Sequence, residues 1–171
     1  GMGTEMPDKG EWDYCHWSVS GGHPGRNYAA MLRWVAPFDG AIRITGELER
    51  DSPNGNGVRA VIATNRQGVV KDLLVTAKGK LPVALGKLEV RKGEIVDFAV
   101  DCENGDTNSD GFQWRPGIHR LDANGNATLL TQSDKDFCDA SHWPPNRSRP
   151  ESVLAQLAQV LLMSNEFQFV D

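Results

Sequence analysis

The chain has 171 residues, a formal net charge of -5, eighteen Gly, nine Pro and three Cys. That length suits one well-cored domain and is short for two, and an acidic balance with no clustered excess of Lys and Arg excludes a nucleic-acid or anionic-membrane surface. The longest apolar run, Val160 to Met163, falls far below the ~18 residues of a membrane span, no signal-peptide pattern opens the chain, and Gly1 before Met2 reads as a tag remnant outside the fold.

So many Gly and Pro, with one sustained helical pattern, predict short strands joined by turns and hence an all-β body. Residues 1 to 27 hold Trp12, Tyr14, Cys15, His16 and Trp17 and then the turn-rich Gly21-Gly22-His23-Pro24-Gly25, so a short strand is expected around Trp12 to Val19. His16 and His23 lack a paired His at metal spacing and read as surface or capping residues. Tyr28 to Ala36 and Ala41 to Leu48 form a strand, turn, strand unit across Pro37-Phe38-Asp39-Gly40. In its second arm Ile42, Ile44, Gly46 and Leu48 face one way and Arg43, Thr45, Glu47 and Glu49 the other, leaving one side wet.

A polar loop, Arg50 to Gly57, precedes an alternating run from Val58 to Thr64. Asn65-Arg66-Gln67-Gly68 and Lys78-Gly79-Lys80 bracket Val69 to Thr76; Leu81 to Val90 and Ile95 to Asp101 follow across Arg91-Lys92-Gly93-Glu94. Turns at about ten-residue spacing are those of a sandwich or barrel. In the last of these strands Val96, Phe98 and Val100 alternate with Asp97, Ala99 and Asp101, the period of a strand with one face on a core.

Asp101, Glu103, Asp106, Asn108 and Asp110 then crowd together, and the repulsion among them calls for water or a cation. Gly111 to Trp114 and Ile118 to Leu121 are strand pieces divided by Pro116, which demotes that segment to an edge or a bulge. Asn124-Gly125 marks a hairpin into Ala127 to Leu130. Asp134 to Arg147 reads as a linker. Ser148-Arg149-Pro150-Glu151 opens a helix as a capping box; Leu154, Leu157, Ala158 and Leu161 share a face that Val153, Val160 and Leu162 widen past a single stripe. The expected domains are 8–133 for the β body, 134–147 for the linker and 148–171 for the helix and tail.

Cys15, Cys102 and Cys138 permit at most one internal disulfide, and both a Cys15–Cys138 bridge and three reduced thiols stay open. No C-x-x-C-H or Cys/His zinc spacing occurs, so covalent haem and structural zinc are unsupported within the chain.

Asp106-Thr107-Asn108-Ser109-Asp110-Gly111 matches the D-x-N-x-D-G opening of a calcium loop. Gly117 stands at the twelfth position, where an EF-hand needs a bidentate Glu, so an EF-hand is excluded. A non-helical calcium site that adds Asp101 and Glu103 to Asp106, Asn108 and Asp110 stays open beside a solvated loop bonded to its own turns. Sugar recognition needs exposed aromatic platforms and a few placed polar groups; Trp114, Trp12, Trp17 and Trp143, with Arg115, are the candidates, while Trp34 shares a face with Leu32 and reads as core. For a glycosidase, Asp97, Asp101, Glu103 and Asp110 supply carboxyls without an evident cleft, and no Gly-x-Ser-x-Gly elbow exists. The chain is read as not an enzyme.

The closing LAQLAQVLLMSNEFQFVD, Leu154 to Asp171, resembles the end of large exported planctomycete proteins that combine cytochrome c-type haem domains with planctomycete-specific domains of unknown function. Leu32-Arg33-Trp34-Val35-Ala36-Pro37 and Asp39-Gly40, with Ile44-Thr45-Gly46, Gly57-Val58 and the segment from Gly93 to Trp114, are similar to jelly-roll β-sandwich modules of the carbohydrate-binding-like type. These resemblances imply a periplasmic or cell-surface setting and a jelly-roll-type β-sandwich with one C-terminal α-helix. The function expected is a non-catalytic carbohydrate-binding-like module of a larger exported protein, with a bound calcium ion as an option. The rival expectation is a structural or interaction domain docking onto haem-bearing or other domains of the same protein.

Overall fold

A computed structural model describes residues 15–133 and 135–139. The predicted helix, most of the predicted linker, Trp12 and Trp143 lie outside the described residues. The described part is strand and turn: β1 His16–Trp17, β2 Gly21–His23, β3 Ala30–Val35, β4 Gly40–Thr45, β5 Glu47–Arg50, β6 Val58–Thr64, β7 Gly68–Val75, β8 Gly79–Pro82, β9 Leu85–Val90, β10 Ile95–Asp101, β11 Phe112–Trp114, β12 Gly117–Leu121, β13 Ala127–Gln132 and β14 Cys138–Asp139. An all-β body is thus what these residues form, and no helix among them is long and apolar enough to cross a membrane.

One layer is an antiparallel sheet in the order β14-β3-β10-β6-β7. Its central strand sets the register: Phe98 lies opposite Leu32 on one side and Ile62 on the other. Cross-strand apolar pairs of this kind are the unit of sheet stability. The inward face, Ala30, Leu32, Trp34, Ala60, Ile62, Val96, Phe98 and Val100, is buried. Across it pack Ile42, Ile44, Leu88 and Ile118 from the sheet β13-β12-β4-β9, and Trp17, Leu48, Phe112 and Trp114 from the sheet β1-β2-β11-β5-β8.

These last two sheets behave as one bent layer. β4 pairs with β9 and β12, and their chain continuations β5, β8 and β11 pair in the same way beyond a crease. The crease runs through Gly46, the residues after Pro82, and Arg115-Pro116. Val83 N donates to Gly46 O at 2.9 Å across it. A Cβ on Gly46 would stand 3.0 Å from Trp114 Nε1 and 3.2 Å from Arg115 O, so a side chain there would press the indole back by a few tenths of an ångström.

Several sequence expectations change here. Tyr28 to Ala36 and Ala41 to Leu48 do run strand, turn, strand, but β3 and β4 belong to opposite layers, Pro37 to Gly40 turns a corner of the sandwich, and the second arm divides at Gly46 into β4 and β5. Leu81 to Val90 is two strands, because the crease interrupts its pairing. Gly21 to His23, expected as turn, is β2, and Cys138–Asp139, expected as linker, pairs with Arg33 and Leu32. β10 is buried on both faces rather than one: Asp97 and Ala99 are as inaccessible as Val96 and Phe98. Asp97 sits there because Arg33 Nε and Nη2 donate to its two oxygens at 2.8 and 2.9 Å. Burial nevertheless pushes its carboxyl above the ordinary range, against the pull of Arg33.

Candidate functional site

The acidic loop between β10 and β11 packs beside the loop between β5 and β6, and one side chain joins them. Arg50 is the last residue of β5 and continues the inward row of Ile42, Ile44 and Leu48. Its guanidinium is fully buried at the end of the core. Nη1 donates to Thr76 O at 2.9 Å, and Nη2 to Asn54 O at 2.8 Å and Ser109 O at 3.3 Å. Asp110 Oδ1 lies 3.6 Å from Nη2, an ion pair with both side chains inaccessible. Among the described residues neither carboxylate oxygen of Asp110 has a hydrogen-bond partner.

That environment penalises the anion. Burial pushes Asp110 up to about 7; Arg50 opposes the rise, while the carboxylates of Asp106 and Asp101 add to it. Asp101 is pushed to about 6, first by burial, with the Glu103 N–H pulling the other way and the Glu103 charge adding. The loop's backbone is bent as well. Glu103, Asn104 and Ser109, with φ of 38°, 59° and 65°, are the non-glycine residues in the left-handed region among the described residues, and all three fall in this one loop. Such conformations cost about 1–3 kcal/mol each and persist only where the surroundings impose them.

Here the imposing contacts are visible. Asn56 Nδ2 donates to Glu103 O, Arg50 to Ser109 O, and the Glu103 N–H to Asp101 Oδ1 at 3.0 Å. On the other side, a Cβ on Gly55 would stand 2.1 Å from Asn108 O, so the two loops touch backbone to backbone. At the rim Asp106 and Asn108 are exposed and Glu103 half-buried. Asp106 Oδ1 accepts from Asn108 N at 3.0 Å, and Ser109 Oγ lies 3.3 Å from Asn108 Oδ1.

For calcium the donor chemistry of the loop is suitable. Calcium takes six to eight oxygens at about 2.3–2.6 Å. Among the described residues no three His, Cys, Asp or Glu side chains converge as a metal site, and Asp101 and Asp106 spend an oxygen each on their own turns. Asp110 is sequestered against Arg50.

The aromatic candidates are corrected. Trp114 is 1% exposed and Trp17 4%, and they pack on each other with ring centroids 5.4 Å apart, Phe112 standing edge-on to Trp17 at 5.0 Å and Phe98 edge-on to Trp114 at 5.8 Å. They therefore offer no sugar platform. The physical reason is the alternation itself: Phe112 and Trp114 share the inward face of β11. Every described Trp and Phe ring, and Tyr28, is buried or partly buried, Trp34 included as expected. Arg115 is exposed at the crease. Cys102 is a buried thiol, raised to about 11 chiefly by burial, with Arg26 O 3.7 Å from its sulfur. Cys15 is buried 3.5 Å from Tyr28 O, and the Cys138 side chain lies outside the described set.

Arg50 and Asn56 are the residues that sequence reasoning missed. The signal for Arg50 was its place in the inward row; Asn56 carried none.

No family model and no curated protein matches the chain. Among solved structures it is similar to a PA14 sugar-binding domain from an RTX adhesin, with 13% identity and a TM-score of 0.36 over 65% of this chain and 51% of that one. It is also similar to the PA14 domain of the MpAFP antifreeze protein, with 13% identity and a TM-score of 0.35 over 58% and 46%. The chain thus spans about half the length of either structure, and at such TM-scores neither likeness assigns a ligand.

Proposed function

We propose that this domain is a non-catalytic, carbohydrate-binding-like module of jelly-roll type within a larger exported protein, and that its ligand meets the rim formed by Glu103, Asp106 and Asn108. The observation that supports this reading is the concentration of left-handed non-glycine backbone in that one loop, held from below by Arg50 and Asn56. A strained loop fixed on a rigid sandwich is the usual support for recognition. With the rings turned inward, binding would run through oxygens and amides to sugar hydroxyls, and calcium is the ion that would draw those oxygens together. A glycan array run in millimolar calcium and again in chelator tests both parts. Saturable retention lost on Asp106→Asn or Asn108→Ala supports the reading; loss in chelator adds the ion. Silence in both buffers overturns it.

One observation favours the rival reading, an interaction domain that docks on other parts of the same protein. β13 is an edge strand whose Leu129 and Leu130, at a bulge, are 52% and 41% exposed. Unpaired edges with apolar side chains invite pairing. A silent array together with binding to neighbouring domains that Leu129→Lys abolishes would establish it.

A further inference from the structure

We propose that two copies of this chain join through β13, strand against strand and antiparallel about a two-fold axis, so that the sheet β9-β4-β12-β13 continues into its counterpart. The contact uses no residue of the Glu103, Asp106 and Asn108 rim and does not depend on what that rim binds.

Among the described residues the three sheets end in β1, β8, β14, β7, β13 and β9. Shortness, charge and proline are the means by which an edge avoids pairing with another chain, and five of these edges use them. β1 and β14 are two residues long. β7 holds Lys71 and Asp72, β8 holds Lys80 and Pro82, and β9 holds Lys87 and Glu89. β13, with the sequence ATLLTQ over Ala127–Gln132, carries neither charge nor proline, and all its side chains but that of Thr131 are exposed. Its irregularity is the bulge that leaves Leu130 without a partner on β12. A bulge can turn an edge away, but this one sets leucine where a blunted edge sets charge: Leu129 is 52% and Leu130 41% exposed.

The partner that such an edge fits is its own copy. A two-fold contact lays a strand against itself reversed, and Thr128-Leu129-Leu130-Thr131 reads the same in both directions. With the axis at Leu129, that leucine faces its equivalent and Thr128 faces Leu130; with the axis at Leu130, Leu129 faces Thr131. No register sets like charges opposite each other, the arrangement that destabilises a strand pair. Pairing would satisfy the backbone N–H and C=O groups on the side of β13 that no described strand meets, and it would take leucines of both copies out of water. The pair would also carry two rims on one body, which turns two weak contacts into a bivalent one.

Sedimentation equilibrium of the full chain, from micromolar to millimolar concentration, tests this. The mass should climb from 18.8 kDa toward twice that value, while amide hydrogen exchange over 127–132 slows in step. Leu129→Lys and Leu130→Lys should each raise the dissociation constant at least about tenfold, since every pair loses two leucines at once, with tryptophan emission unchanged. A mass that stays at that of one chain up to millimolar concentration overturns the proposal and leaves the edge to a different partner. Doubling that both folded variants retain overturns it too, because the contact then lies elsewhere. Should the variants fail to fold, exchange in the natural chain decides: protection over 127–132 that rises with concentration supports the pairing, and protection independent of concentration refutes it.

Discussion

Replacing Arg50 by Met should expose how the two loops are held. The substitution leaves a buried carboxylate, Asp110, without its cation, a change that costs about 3–5 kcal/mol when one partner of a buried pair is removed. It also strips donors from the carbonyls of Thr76, Asn54 and Ser109, at about 1 kcal/mol each where water does not replace them. At pH 8 the loss should reach at least about 4 kcal/mol, a fall of roughly 10 °C in Tm. The pH dependence carries the diagnosis. The folded carboxyl titrates near 7 against 3.8 for the unfolded chain, so its contribution to stability is full below the unfolded value and is lost as pH rises toward 7. Without Arg50 the folded value climbs further and the loss extends to higher pH. Urea unfolding of Arg50→Met should therefore show a deficit against the natural chain that is clearly wider at pH 8 than at pH 5, and adding Asp110→Asn should recover the difference. A deficit equal at both pH values, or a double variant no better than the single one at pH 8, would refute the reasoning.

Asp110→Asn alone should gain on the natural chain as pH rises from 4 to 8, because it lacks a carboxyl whose folded value is raised; denaturant titrations at several pH values check the slope. Gly55→Ala should lose about 1–3 kcal/mol, since its φ is +81° and its Cβ would strike Asn108 O, whereas Gly105→Ala, with φ +76° and only ordinary van der Waals contact to Arg26, should lose only about 1–2 kcal/mol; urea midpoints separate the two. Trp114→Ala should cost about 3–5 kcal/mol as a core truncation, and by calorimetry any loss of ligand retention should follow the loss of folded protein.

Strand positions were legible because alternation and turn residues coincide: β6, β7 and β10 fall close to where Val58, Val69 and Ile95 begin their runs. Layer assignment was not. Nothing local tells whether the chain after Pro37 folds back beside β3 or crosses to the other layer, since that choice is made by partners far along the chain. The same holds for Asp97, which alternation places on a wet face and which an ion pair with Arg33 lets the fold enclose. The acidic loop stood out by composition, but its support did not. Arg50 looked like the first residue of a polar loop, although it follows Ile42, Ile44 and Leu48 at the same parity. Trp114 was drawn toward the rim by its nearness in sequence to the carboxylates, when its parity with Phe112 placed it inside.

Apart from Asp110, Arg50 grips the loops through main-chain oxygens alone. Every amino acid carries that oxygen, so the clamp is indifferent to which side chains occupy Asn54 or Thr76. The protruding positions beside them are then at liberty to vary under selection or in a designed library, while the frame underneath keeps its shape. A scaffold organised this way can exchange one target for another without being rebuilt.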